Sequence, residues 1–247
     1  MDLPNTLDFA SLLDKYPPTP SKTKINPQKD LALIIYTAGT MGAPKGVMET
    51  HYNMVSACIA HAHVLGLDYN DVNLQILPMF HIGGYILLLH PILYKGGTVC
   101  MVPSFDPGEF LKIANTYKAN TLIGTPTLFF ALFNHPEFHK YDLRGFKVLI
   151  AGGASLPAAL RDSWIKKTGV ELSQGWGMTE INASATGNVC HKKNLDSVGV
   201  PMNGEVKIID DKGKMLKRGE IGEILYRGPQ VALGYWKKPE ETAKTFA

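Results

Sequence analysis

Between Leu31 and Gly169, short apolar runs alternate with segments of helical spacing, and this restricts the possible folds more than any other feature. "LALIIY" (31–36) suits a strand covered on both faces, and the chain then exits through a glycine-broken loop towards a helix. Thr50 is placed to cap that helix, with Val55, Cys58, Ile59, Ala62 and Leu65 on one stripe. "VNLQIL" (72–77) and "TVCMV" (98–102) read as strands around a helix near 85–94. Asp106-Pro107 forms a cap and first turn before Phe110, Ile113, Ala114 and Tyr117. "NTLIG", "TPTLFFALF", "KVLIAGG" and "LPAALRDSWIKKTG" continue strand, helix, strand, helix. The expectation is an α/β fold: a largely parallel sheet with flanking helices. After about Asn194 the runs become short and β-like around an Asp-Lys-Gly turn at 211–213, predicting a smaller, mostly antiparallel β portion. The expected organisation is a polar, proline-bearing lead-in over 1–30, an α/β nucleotide- and acyl-binding core over 31–194, and a β-rich portion over 195–247.

Composition narrows the function. A net charge of +3 on 247 residues is too small to argue for nucleic acid or an anionic membrane. The longest apolar run, "YILLLHPIL" (85–93), contains His90 and Pro91 and is too short to span a bilayer. Cys58, Cys100 and Cys190 are scattered and odd in number, which suits reduced thiols in the cytoplasm.

Four stretches hold the residues that chemistry needs. In "YTAGTMGAPKG" (36–46), Gly39, Gly42 and Gly46 free the backbone to turn its N–H groups one way. Thr37 and Thr40 add hydroxyls and Lys45 a fixed positive charge, a set suited to a polyphosphate. The loop carries neither GxxxxGK[ST] nor GxGxxG, so the residues alone leave an anion cradle and an ordinary turn both open. "LIAGGASLP" (149–157) permits close approach to a flat ligand or a plain strand-to-helix turn. "SQGWGMTE" (173–180) offers Trp176 for stacking and Thr179 and Glu180 as oxygen ligands; the alternative is a buried tryptophan and a solvated glutamate. "LPMFHIGGY" (77–85) places His81 beside glycines, where a packed histidine is the competing reading.

Taken in order, and followed by "GEILYRGPQVALGYWKKPEETAKTF" (222–246), these stretches resemble the adenylate-forming acyl- and aryl-CoA synthetases over nearly the whole chain. The resemblance implies activation of a small-molecule carboxylic acid, fatty or aromatic and of any chain length, by MgATP to an acyl-adenylate, then transfer to coenzyme A. ATP, Mg²⁺ and coenzyme A are thus the implied cofactors. By the same resemblance, the loop corresponds to the family's YTSGTTGxPKG. Thr37, Gly39, Thr40, Gly42 and Lys45 match it and would hold the β- and γ-phosphates. Ala38 and Met41 stand where the family has serine and threonine, keeping the backbone N–H groups but losing two hydroxyls. Gly153, Ala154 and Ser155 correspond to one wall of the adenine site, and Gln174, Gly175 and Trp176 to the other. Trp176 replaces the usual tyrosine. Thr179 would touch the α-phosphate and Glu180 would place Mg²⁺, with Lys45, Thr179 and Glu180 as the catalytic set. His81 and Gly177 correspond to the acyl pocket. His61 and His63 match no site and are expected on an exposed or packed helix face.

The family's chains carry more sequence on both sides, including a ribose-binding aspartate and a mobile domain with a catalytic lysine. The chain is therefore expected to be a central piece of the large N-terminal domain, inactive in isolation. Two other readings stand beside the ligase: an amino-acid-activating adenylation domain and a non-catalytic nucleotide-binding module. The first normally has an aspartate after the phenylalanine of the "FH" pair, where this chain has His81. Ala38 and Met41 lend the second some support.

Overall fold

The computed structural model describes residues 6–16, 18–19, 22–37, 43–188 and 194–246. The lead-in contains one short helix, α1 (Phe9–Lys15), capped by the Asp8 carboxylate, which accepts from the Ser11 N–H at 2.7 Å. None of its residues is buried.

The first strand departs from its expected setting. β1 (Leu31–Thr37) pairs antiparallel with β2 (Lys45–Thr50) in a separate two-stranded sheet, and Leu31, Ala32 and Tyr36 are exposed. The glycine-bearing stretch therefore lies between two strands, and the helix begins only after β2. Thr50 does cap that helix, α2 (His51–Val64), through a reciprocal box. Its hydroxyl accepts from Asn53 N–H at 3.1 Å while Asn53 Oδ1 accepts from Thr50 N–H at 3.2 Å. The buried stripe of α2 is rotated from the expected one: Val55 is exposed, whereas Asn53, Met54, Ala57, Cys58, His61 and Ala62 are inside. Polar Asn53 and His61 took inward positions that an apolar pattern does not reveal.

The expected parallel sheet is present. β3 (Val72–Gln75), β4 (Thr98–Met101), β5 (Thr121–Gly124), β6 (Val148–Ala151) and β7 (Ser173–Trp176) run parallel in the order β4-β3-β5-β6-β7. Two short antiparallel strands, β8 (Thr186–Gly187) and β9 (Val200–Pro201), extend it beyond β7. The connections run through a π-helical segment, Gly83–Leu89, continuing into α3 (His90–Tyr94), and through α4 (Pro107–Thr116), α5 (Pro126–Phe133) and α6 (Ala158–Thr168). Helices cover both faces, as continuous apolar strands require. Leu122, Leu149 and Ala151 share a core with Phe110, Phe129, Leu132, Leu160 and Trp164. Ile123, Val148 and Ile150 point the other way, to Leu65, Leu88 and Ile92.

In the last part of the chain, β10 (Glu205–Ile209) pairs antiparallel with β11 (Glu223–Arg227). A final short helix, α7 (Pro239–Thr245), follows. Before it, residues 233–236 lie along β2: Leu233 N–H donates to Met48 O at 3.0 Å, Met48 N–H to Gly234 O at 2.9 Å and Trp236 N–H to Gly46 O at 2.7 Å. No helix among the described residues is long and apolar enough to cross a membrane.

Candidate active site

A parallel sheet gathers its loops at the carboxyl ends of its strands, where ligands of open α/β folds bind. The register Ala151↔Gln174 brings the ends of β6 and β7 side by side. Gly153, Ala154 and Ser155 leave the first and are exposed; Gly175 and Trp176 close the second and are half-buried. Gly153 holds a φ of +77°, so a side chain there would be strained. Gln174 Oε1 accepts from Leu156 N–H at 3.4 Å, tying the two segments together. The expected adenine residues therefore share one locality. His81 lies past β3, exposed, with Nδ1 accepting from Gly83 N–H at 3.1 Å. Gly177 is demanded by the backbone itself, because a Cβ there would lie 1.6 Å from the Ala183 carbonyl oxygen.

Past Trp176 the chain makes a tight turn over Thr179–Ile181 and enters left-handed backbone at Asn182, φ 52°. Thr179 is buried and Glu180 half-buried. The turn is anchored by the segment that also lies on β2. Ala232 N–H donates to Glu180 O at 2.9 Å, and the buried Gln230 amide donates to Ile181 O at 2.8 Å and Ser184 O at 2.7 Å. Asn182 Nδ2 donates to Gln230 O at 3.0 Å and to Glu49 Oε2. Glu49, on β2, is fully buried. Burial pushes its carboxyl up to about 8; the Asn182 amide pulls it back and the nearby Glu180 charge adds to the rise.

Lys45 opens β2, with Thr37 opposite it in the β1–β2 register. The Lys45 ammonium is 4.8 Å from the centre of the Tyr235 ring and 3.0 Å from Glu241 on α7. The hydroxyl of the same tyrosine donates to Glu180 Oε1 at 2.6 Å. Hydrogen bonds from Lys238 and then Lys45 hold the Glu241 carboxyl below the usual range. The folded chain thus brings Lys45, Thr179 and Glu180 to one locus. Ala38, Gly39, Thr40, Met41 and Gly42, together with Cys190, lie outside the described residues.

Sequence reasoning did not single out Glu49, Asn182, Gln230, Tyr235 or Glu241. Gln230, Tyr235 and Glu241 fall in the 222–246 stretch that helps carry the resemblance and Asn182 directly follows the Thr179–Ile181 turn, but their joint placing with Glu49 rests on contacts across large sequence separations.

The family model described as "AMP-binding enzyme" matches residues 2–236. The chain belongs to that family. Among curated AMP-binding relatives, it is 38% identical over 226 residues to a long-chain-fatty-acid–CoA ligase of Bacillus subtilis (strain 168), covering 89% of this chain and 40% of the ligase. It is 34% identical over 220 residues to a feruloyl-CoA synthase of Amycolatopsis sp., covering 87% and 44%. Among solved AMP-binding structures, it superposes on ATP-bound MatB from Rhodopseudomonas palustris with a TM-score of 0.82 at 32% identity, covering 88% of this chain and 43% of that one. The chain thus spans 40–44% of the length of these curated relatives.

The residues fit a magnesium ion shared with a nucleotide. Among the described residues no group of three or more His, Cys, Asp or Glu is placed to hold a metal alone. Magnesium bound through one carboxylate and substrate phosphates needs no such group, and half-buried Glu180 beside buried Thr179 supplies hard oxygen ligands.

Proposed function

We propose that this chain forms the nucleotide- and acid-binding part of an AMP-forming acid–CoA ligase, whose substrate is a fatty or aromatic carboxylic acid. The observation that carries the reading is the placing of Lys45 and Glu180 on either side of Tyr235, beyond the end of β7. That arrangement offers a cation to phosphate oxygens and a carboxylate to a divalent cation, with Glu180 following closely in the chain on Trp176 at the end of β7. The acid's carboxylate oxygen attacks the α-phosphorus of ATP; the bond to the bridging oxygen breaks and pyrophosphate leaves. Coenzyme A thiolate then attacks the acyl carbon and AMP departs. Lys45 holds the β- and γ-phosphates together with the 37–42 backbone, while Thr179 meets the α-phosphate. Glu180 would hold magnesium, which when bound would supply neutralisation of phosphate charge. Gly153, Ala154, Ser155, Gln174 and Gly175 frame the base, and His81 and Gly177 flank the acyl group. In this reading residues 31–194 are the core and 195–247 the β-rich portion. A cytoplasmic setting belongs to the proposal, supported by Cys58 and Cys100 standing as free thiols.

The test is acid-dependent ATP–pyrophosphate exchange, run on the whole protein with fatty, aromatic and α-amino acids. Exchange with the first two classes supports the ligase. Exchange restricted to amino acids assigns an amino-acid-activating domain, and nucleotide binding without exchange assigns a non-catalytic module.

A further inference from the structure

Tyr235 touches both charged groups of the proposed nucleotide site, yet no part of the proposed reaction uses it. We propose that Tyr235 is a positioning residue that couples the phosphate-binding lysine to the metal-placing glutamate, so that Lys45 and Glu180 are set as one unit. The proposal rests on the nucleotide reading above.

Tyr235 is 4% exposed and gripped from several sides. Its N–H donates to Thr242 Oγ1 at 2.9 Å, and its ring meets Phe246 edge-on at 5.4 Å. It bridges to Val47, two residues along β2 from Lys45. The ring therefore moves with the strand that carries the lysine. Its face carries the Lys45 ammonium at 4.8 Å, a distance at which an aromatic quadrupole attracts a cation. Its hydroxyl donates to Glu180 Oε1 at 2.6 Å, a short charge-assisted bond that fixes one carboxylate oxygen and leaves the other free of this contact.

Glu241 sharpens the argument. It pairs with Lys45 at 3.0 Å, the role a phosphate oxygen would take, and also with Lys238 at 3.0 Å. Phosphate arriving at Lys45 displaces Glu241 to Lys238, while Tyr235 keeps the ammonium in place during the exchange.

The experiment titrates the full chain with ATP by calorimetry across a series of Mg²⁺ concentrations. Tyr235→Phe keeps the ring and removes the bond to Glu180. It should raise the Mg²⁺ needed for half-maximal ATP affinity by about tenfold, with the thermal midpoint close to that of the unaltered chain. In a Glu180→Gln background the same substitution should cause no further shift, because the charge being positioned is gone. An unchanged Mg²⁺ dependence in Tyr235→Phe, or an equal shift in both backgrounds, overturns the proposal. A second measurement needs no variant. The Tyr235 ring signals and the Glu180 carboxyl carbon should shift together in NMR spectra on addition of MgATP, and a shift of one without the other refutes the coupling. Failure of the nucleotide reading is distinguishable: the unaltered chain would then bind no ATP at any Mg²⁺ concentration, and the proposal falls with it.

Discussion

The parallel sheet and the β2 region are held together by different physics. Between the sheet and its helices the contacts are apolar: Trp164, 1% exposed, meets the Phe129 and Phe138 rings at 5.4 and 5.3 Å, with Leu122, Leu149 and Leu172 nearby. Around β2 the contacts are polar and long-range. Glu49, Asn182 and Gln230 are fully buried and joined by hydrogen bonds, and Asn203 donates to Gln230 Oε1 at 3.3 Å. A buried polar group without a partner is costly, and Glu49 Oε1 and Asn182 Oδ1 have none among the described residues, so the bonds this network does make matter the more. The apolar sheet brings the ends of β6 and β7 side by side, and the polar network sets where Glu180 stands relative to β2.

The largest expected effect breaks the apolar half. Trp164→Ala should cost ~3–5 kcal/mol of stability in urea unfolding. A loss under 1 kcal/mol would mean this core does not carry the fold. Next, Asn182→Ala removes the donor to Glu49 and the residue suited to left-handed backbone. It should cost ~1–3 kcal/mol by the same measurement, and a neutral result would show that the polar network is dispensable.

Lys45→Ala separates binding from folding. Its ammonium is part-exposed, so stability should hardly change, while ATP affinity should fall about ten- to a hundredfold. Equal affinity in the variant would remove Lys45 from the site.

Glu49 gives the comparison a pH axis. The folded carboxyl keeps its proton up to about 8, whereas its ordinary value is 4.5, so the folded state binds the extra proton between those values. Its contribution to stability is full below pH 4.5 and is lost as the pH rises to about 8. Glu49→Gln, which cannot ionise, should flatten this part of the stability profile. An unaltered slope in the variant would place its origin elsewhere. The smallest effect concerns stacking: Trp176→Tyr should change ATP affinity only mildly and Trp176→Ala severely, and equal effects would point to packing instead.

Legibility in the sequence follows the same division. The strands at 121–124 and 148–151 could be read directly because both of their faces are apolar, and Asp106 and Thr50 announced their helices by chemistry acting over three residues. "LALIIY" looked like one more buried strand, but it forms an antiparallel pair with several residues exposed. An apolar run records that a strand is favoured and is silent about its partner. His61 takes the packed of its two expected settings, with Nε2 3.5 Å from Ser184 O, and Asn53 goes inward where its Nδ2 donates to Pro229 O at 2.9 Å on a distant segment.

By itself the sequence determined the α/β alternation, the local caps and the family, since each depends on residues close together or on motifs in fixed order. Only the tertiary structure decided that β2 pairs back on β1, that Glu49 is buried against Asn182, and that Tyr235 stands between Lys45 and Glu180. The strand pairing turns on a partner that an apolar run does not name, the Glu49 and Tyr235 contacts join residues far apart in the chain, and whether a charged or polar side chain is buried depends on its surroundings in the fold.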